Sequence, residues 1–226
     1  MHRRHAYLAT MDAPVYTVPT ADGSLTLYHK QLGAHYHSVH GAVQESMHIF
    51  IRNGLAQLPH LPEINILEMG FGTGLNALLT VHNKPNDIFV NYTSLDIYKI
   101  SSQVTQELKN SYPDSSLFEK IHQSLWGAST AIAPGFMLNK IHLSLADYTP
   151  DKLFHLCYFD AFAPDIQPEL WTVEVFEKLY RCLHTGGLLL TYCSKGDVKR
   201  ALRQSGFRVE RLPGPPGKRH IIRAVK

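Results

Sequence analysis

The segment Ile64-Asn-Ile-Leu-Glu-Met-Gly-Phe-Gly-Thr-Gly-Leu-Asn76 restricts the fold more than any other part of this 226-residue chain. An apolar run reaches an acid, Glu68, then three glycines at alternate positions, Gly70, Gly72 and Gly74, before helix-forming residues begin at Leu75. Glycine adopts backbone conformations closed to other residues, so the spacing predicts a tight strand-to-helix turn whose main chain lies against a ligand and whose helix start offers free amides. A dinucleotide turn would have the spacing G-x-G-x-x-G and seat a pyrophosphate on the helix N-terminus. Here the spacing is G-x-G-x-G, and the carboxylate of Glu68 before it repels phosphate and favours a cation. S-adenosylmethionine has an amino group, a sulfonium and no phosphate, and is the nucleoside cofactor this turn suits. Phe71 and Asn76, in the same loop, are counted with its cofactor-binding residues. A purely structural glycine turn is the plain alternative, disfavoured because strand, acid and helix stand in register.

The rest of the pattern predicts one α/β domain over residues 61–226, preceded by an extension of strands and a helix over residues 1–60. Short strands are expected at Ala13–Val18 and Leu25–Tyr28 around an Asp22-Gly23 turn, then a helix from Ser38 to an Asn53-Gly54 stop. Further strands are expected at Ile64–Met69, Ile88–Leu95, Lys140–Leu145, Phe154–Phe159, Leu188–Tyr192, Phe207–Arg211 and His220–Val225. Helices fit Leu75–His82, Pro168 to Leu183 with a stop at Gly186-Gly187, and a run from Gly196. Ser101 to Asn139 is expected to be irregular helix broken by Pro113, Pro134 and Gly135. This alternation predicts a seven-stranded, mostly parallel, Rossmann-like sheet with helices on both faces. Sites in such sheets lie beyond the carboxyl ends of the strands. Glu68, Asp96, Asp147 and Asp160 all fall at expected strand ends, so one edge should gather them. Asp96 follows the glycines at about the 20-residue spacing at which nucleotide-binding folds put a carboxylate on ribose hydroxyls.

A net charge of +3 conceals a polarity along the chain. Residues 195–226 carry ten Lys or Arg against Asp197 and Glu210, a local +8 that leaves −5 for the remainder. A basic end on an acidic domain suits a polyanion, since phosphate neutralisation supplies most nucleic-acid affinity. No apolar run approaches the roughly 20 residues of a membrane span, and Met1-His-Arg-Arg-His5 lacks the apolar core of a signal peptide, so a cytoplasmic protein is expected. Cys157, Cys182 and Cys193 show no disulfide or zinc spacing. His35-x-His37-x-x-His40 matches no common zinc motif, and no metal is expected.

At Asp160-Ala-Phe-Ala-Pro-Asp-Ile-Gln-Pro-Glu-Leu-Trp-Thr172 the chain resembles the methyltransferase domain of the MnmC and MnmD proteins, which carry a D-G/A-F-A-P segment followed by N-P-E-M-W or close variants. The glycine loop, Gly41-Ala-Val-Gln-Glu-Ser46 and Gly214-Pro-Pro-Gly-Lys-Arg-His220 agree with the same family. The resemblance implies the class I S-adenosylmethionine-dependent methyltransferase fold and methylation of 5-aminomethyl(-2-thio)uridine at the wobble position of transfer RNA. It implies that Glu68, Gly70, Gly72 and Gly74 line the methionine part of the cofactor, Asp96 the ribose and Asp147 the adenine amino group. It further implies that Asp160 and Phe162 face both the sulfonium and the incoming amine, with Pro164 in the same loop. Many relatives fuse a flavin-dependent oxidase for which this chain ends too early, so a standalone, monomeric methyltransferase fed by a separate oxidase or modification enzyme is expected.

Methyl transfer to nitrogen needs a neutral amine held in line with the departing sulfur. Asp160 is expected to accept a hydrogen bond from the amine and take or relay its proton, and Phe162 to pack beside the uracil. Glu45 could reach the same pocket, and Lys218, Arg219 and His220 are candidates for gripping the anticodon region. Two other readings stand: a methyltransferase or aminopropyltransferase acting on a small polyamine, which clustered acids also suit, and a catalytically silent RNA-binding module.

Overall fold

Asp22-Gly23 turns the chain as expected, with Gly23 at φ 84° and the Asp22 carboxylate accepting from the Ser24 hydroxyl at 2.6 Å. The computed structural model describes residues 15–226; the expected strand residues Ala13 and Pro14 lie outside the described residues. Strands β1 (Val15–Pro19) and β2 (Leu25–His29) pair antiparallel across this turn, and a short β3 (Ala34–His35), absent from the sequence expectation, adds to β2. Helix α1 spans Ala42–Ser46 and runs on as a π-helical turn, Met47–Arg52, to the expected stop at Asn53. Its start is four residues later than the expected Ser38. Gly41 at φ 143° cannot belong to a helix, and Asp22 accepts the Gln44 N–H at 3.0 Å, so the hairpin turn itself caps the helix.

The main sheet follows: β4 (Glu63–Met69), α2 (Leu75–Asn83), β5 (Phe89–Leu95), α3 (Ser102–Leu108), α4 (Ser115–Gln123), β6 (Ser129–Ala133), β7 (Phe136–Ile141), β8 (Phe154–Phe159), α5 (Val173–Cys182), β9 (Leu183–Thr191), α6 (Gly196–Gln204), β10 (Arg208–Pro213) and β11 (His220–Val225). The strand order is β10-β11-β9-β8-β4-β5-β7-β6. From β7 through β9 the neighbours are parallel, whereas β6, β10 and β11 run antiparallel to theirs.

Eight strands replace the expected seven. Pro134 and Gly135 do not break a helix; they turn a β6–β7 hairpin, with Gly135 at φ 67°. Along β7 the buried positions alternate as Phe136, Leu138 and Lys140, a period of two disguised by the lysine. Lys140 tolerates burial because its ammonium donates to the carbonyls of Ile121 and His122 at 2.9 and 3.0 Å, capping α4. The strand therefore ends at Ile141, and the expected Lys140–Leu145 strand is replaced beyond that point by a loop. Leu183 opens β9 opposite Phe154 and does not close α5; Gly186-Gly187 lie inside the strand where the register with β8 shifts. Pro168 begins a single 3-10 turn, and α5 starts afresh behind Thr172, whose hydroxyl accepts the Val175 N–H.

The chain passes outward from β4 through β5 to β7 and then returns to set β8 on the other side of β4. This reversal is a topological switch point, where parallel sheets open a crevice at their carboxyl ends. Register makes it specific. Met69 pairs with Phe159, so the Asp160 N–H donates to the Met69 carbonyl at 3.0 Å, and the Gly70 N–H donates to that of Leu95 at 2.9 Å. Alternation along β4 sends Ile64 and Ile66 into the core layer containing Leu75 and Leu78, and Leu67 and Met69 into the layer containing Phe176.

Candidate functional site

A cavity of about 430 Å³ opens at the ends of β4, β5 and β8, within the usual range for small-molecule sites. Gly70 and Gly72 form its floor. Gly70 sits at φ 91°, and a Cβ there would lie 2.6 Å from the Asp160 carbonyl oxygen; Gly72 sits at φ 49°, and a Cβ would lie 3.0 Å from the Tyr36 ring. The main chain is thus a cradle that side chains would fill.

Asp96 borders this cradle just beyond β5. Its carboxylate accepts the Gly72 N–H at 2.9 Å and the Tyr98 N–H at 2.7 Å, which ties the acid to the glycine loop. Burial pushes its pKa upward, and these backbone donors oppose the shift. Asp160, just beyond β8, accepts from the Asn76 amide at 2.9 Å. Its carboxyl is pushed up to about 7, by burial first, with hydrogen bonding from Asn76 opposing, the Glu45 carboxylate adding and the Lys218 ammonium opposing.

The loop after Asp160 is held at three points. The Tyr192 hydroxyl donates to the Ala161 carbonyl at 2.9 Å, the Trp171 indole donates to the Phe162 carbonyl at 2.8 Å, and the Phe162 N–H donates to the Gln167 side chain at 3.2 Å. Phe162 is therefore fixed edge-on to Tyr36, with centroids 5.0 Å apart, and to His29 at 6.2 Å. Across the cavity the Lys218 ammonium pairs with the Glu45 carboxylate and lies 5.2 Å from the Tyr192 ring centroid.

Gly70, Phe71, Gly72, Asn76, Asp96, Asp160, Phe162, Glu45 and Lys218 thus line one cavity, although the sequence scatters them over more than half its length. Six other candidate residues are not brought to its wall. Glu68 is 0% exposed beneath the loop, accepting from the Ser94 hydroxyl at 2.6 Å, because strand parity turns it under α2. Gly74, at φ 70°, makes room for the Phe71 and His122 rings at the start of α2. Asp147 is exposed and accepts from the Ser144 hydroxyl at 2.6 Å; β7 ends too early to deliver it, and the neighbouring Ser144, Leu145 and Ala146 line the cavity. Pro164 lies in the loop behind Phe162, Arg219 is exposed, and His220 opens β11.

Tyr36, Tyr98 and Tyr192 line the cavity without having been singled out from sequence. No motif marks them, since strand pairing in the extension brings Tyr36 across. The N-terminal sheet is consequently a wall of the site. His37 is buried, its backbone N–H donating to Thr26, and among the described residues no group of three or more His, Cys, Asp or Glu side chains could hold a metal.

The site fits the cofactor that the glycine turn implies. The cradle at Gly70 and Gly72 admits a ligand where any Cβ would intrude, and Asp96, anchored by backbone amides, leaves acceptor capacity for vicinal hydroxyls. A family model described as S-adenosyl-L-methionine-dependent methyltransferase matches residues 102–226. The chain is 29% identical over 212 residues to the tRNA 5-methylaminomethyl-2-thiouridine biosynthesis bifunctional protein MnmC of Idiomarina loihiensis, covering 83% of this chain and 34% of that protein. MnmC of Delftia acidovorans is 29% identical over 234 residues, covering 95% and 35%. The chain therefore spans about a third of the length of these curated relatives. Among solved structures, MNMC2 from Aquifex aeolicus shares the fold with a TM-score of 0.77 at 23% identity, covering 95% of this chain and 70% of that one.

Proposed function

Because this chain belongs to the S-adenosyl-L-methionine-dependent methyltransferase family, we propose that it methylates the primary amine of 5-aminomethyl(-2-thio)uridine at the wobble position of transfer RNA. The observation that carries the reading is the joint lining of one cavity by the glycine cradle, Asp160 and Phe162. The names of the MnmC relatives supply the substrate class.

When bound, S-adenosylmethionine supplies an electrophilic methyl group on a sulfonium. Gly70, Phe71 and Gly72 would hold its methionine end, and Asp96 its ribose hydroxyls. Asp160 accepts a hydrogen bond from the substrate amine, turns the nitrogen lone pair toward the cofactor side and takes the proton that the amine sheds. A carboxyl with a pKa of about 7 suits that exchange near neutral pH. Phe162 and Tyr36 offer aromatic edges against which an unstacked pyrimidine packs. Arg203, Arg211 and Arg219, exposed within the C-terminal 32 positions, engage the phosphates of the anticodon region.

Within this reading the enzyme works as a cytoplasmic monomer on an amine exposed by a separate flavin-dependent oxidase or another modification enzyme. Among the described residues no helix is long and apolar enough to cross a membrane. The runner-up, a polyamine substrate, is favoured by the acids that line the cavity, Glu45, Asp96, Asp160 and Glu169, but Lys218 already occupies Glu45. Labelled S-adenosylmethionine incubated with the protein and bulk transfer RNA lacking this modification step tests the choice. Label in 5-methylaminomethyl(-2-thio)uridine is expected; cofactor binding without label in RNA would overturn the proposal and favour a small amine.

A further inference from the structure

Two segments from opposite ends of the chain meet at the cavity: α1 with its π-helical continuation, and the turn at residues 214–219 between β10 and β11. Three contacts lock them together. The His48 Nε2–H donates to the Pro213 carbonyl at 2.9 Å. Gly217, at φ 83°, lies so close to the His40 ring that any Cβ would collide with it. The third contact is the Lys218–Glu45 ion pair. The turn is closed by the Lys218 N–H donating to the Pro215 carbonyl at 2.9 Å and the Gly214 N–H to that of Arg219 at 3.1 Å. Lys218 consequently lines the cavity, held there and not free on the surface for phosphates, whereas Arg219 is exposed. Glu45 is 8% exposed and fully engaged: Oε1 accepts the Ser38 N–H at 3.2 Å, and Oε2 takes the ammonium. An ammonium has three donor hydrogens, and Glu45 uses one, so Lys218 keeps donors for a ligand.

A substrate amine held by Asp160 fixes what lies beside it. In 5-aminomethyluridine the arm is carried on C5, and the next ring carbon bears the carbonyl oxygen O4. Drawn into the cavity, O4 loses its water and needs a donor. Among the described residues that line the cavity, Lys218 is the only lysine or arginine, and its charge bears on Asp160. We propose that Lys218 is a specificity-determining residue that donates to O4 of the target uracil, and that Glu45 is the positioning residue that holds its ammonium there. Cytosine puts an exocyclic amino group at the same place, so two donors would meet with no acceptor between them. A polyamine would bring a second cation against Lys218, and repulsion of that kind is how a site rejects the wrong ligand. The Tyr192 ring, 5.2 Å from the ammonium, backs the lysine from the side of the loop that carries Asp160.

The inference rests on the wobble-uridine reading and names what is read within the base. Two anticodon stem-loop RNAs, carrying 5-aminomethyluridine or 5-aminomethylcytidine at the wobble position, are compared as substrates of wild type, Lys218→Met and Lys218→Gln. Wild type should favour the uridine RNA by about 10–100-fold in kcat/KM. Methionine has no donor, so Lys218→Met should lose that factor on the uridine RNA alone and discriminate within about threefold, with S-adenosylmethionine affinity by calorimetry within about twofold of wild type. Lys218→Gln can still donate to Glu45 and offers the base either a donor or an acceptor, so its preference should narrow as well. It carries the test if Lys218→Met, which leaves a buried carboxylate unpaired, does not fold. An equal loss on both RNAs would make Lys218 a backbone contact and overturn the inference, as would a wild-type preference surviving in Lys218→Gln. No transfer by wild type to either RNA would refute the wobble-uridine reading itself, and the inference with it.

Discussion

Replacing Gly70 by alanine should damage the protein in a way that separates two physical costs. At φ 91° an alanine lies in a region L-residues rarely occupy, a strain of about 1–3 kcal/mol. The added methyl would also lie 2.6 Å from the Asp160 carbonyl oxygen and 3.3 Å from its carbon. Both partners are backbone, tied by the β4–β8 ladder, so neither can swing away as a side chain would. Overpacking of this kind costs about 1–3 kcal/mol more. The combined loss of about 2–6 kcal/mol corresponds, for a chain of this length, to a fall in Tm of about 4–24 °C. Gly23→Ala is the matched control, with a similar φ of 84° and nothing within 4 Å of the new Cβ. It should show the strain alone. Thermal unfolding followed by circular dichroism on both variants gives the contact cost as their difference, about 1–3 kcal/mol. Equal Tm values would refute the idea that the glycine loop and the end of β8 are locked at contact distance.

Asp160→Asn should retain S-adenosylmethionine binding by calorimetry while labelled-methyl transfer falls about 10²–10⁴-fold; turnover at the wild-type rate would remove Asp160 from the mechanism. Stability should carry the signature of the raised carboxyls, Glu68 at about 8 and Asp160 at about 7. Because the folded state holds protons that the unfolded chain releases near pH 4, their contribution is complete below about pH 4 and is lost as pH rises toward about 8. His37 and His122, buried and pushed down to about 4, pull the other way over the acid part of that range. Urea midpoints of wild type and Glu68→Gln should therefore be compared at each pH: wild type should lose ground to the variant as pH rises, and a constant difference would contradict the assignment. Arg219→Glu, at an exposed position, should weaken transfer-RNA binding and reduce the salt slope by about 1; an unchanged slope across a salt titration would remove it from the RNA surface.

Local rules made much of the architecture legible in the chain itself. Alternate glycines after an apolar strand permit the positive φ that a tight turn against a ligand needs, and Gly70, Gly72 and Gly74 all adopt it. The run Phe154–Phe159, apolar but for His155, became a strand with the expected ends, as buried parallel strands do. Strand-end acids at Asp96 and Asp160 met at one crevice because a parallel sheet sends its carboxyl ends the same way. What local pattern could not determine was set by partners far away in sequence. Lys140 hid a strand because its burial depends on carbonyls that α4 supplies. Tyr36 entered the site through strand pairing in an extension that carries no motif. Lys218 met Glu45 across 173 positions instead of standing free for RNA. Glu68 shows the division most directly: its presence before the glycines follows from sequence, but only the packing of α2 over one face of β4 removes it from water and pushes its carboxyl up to about 8.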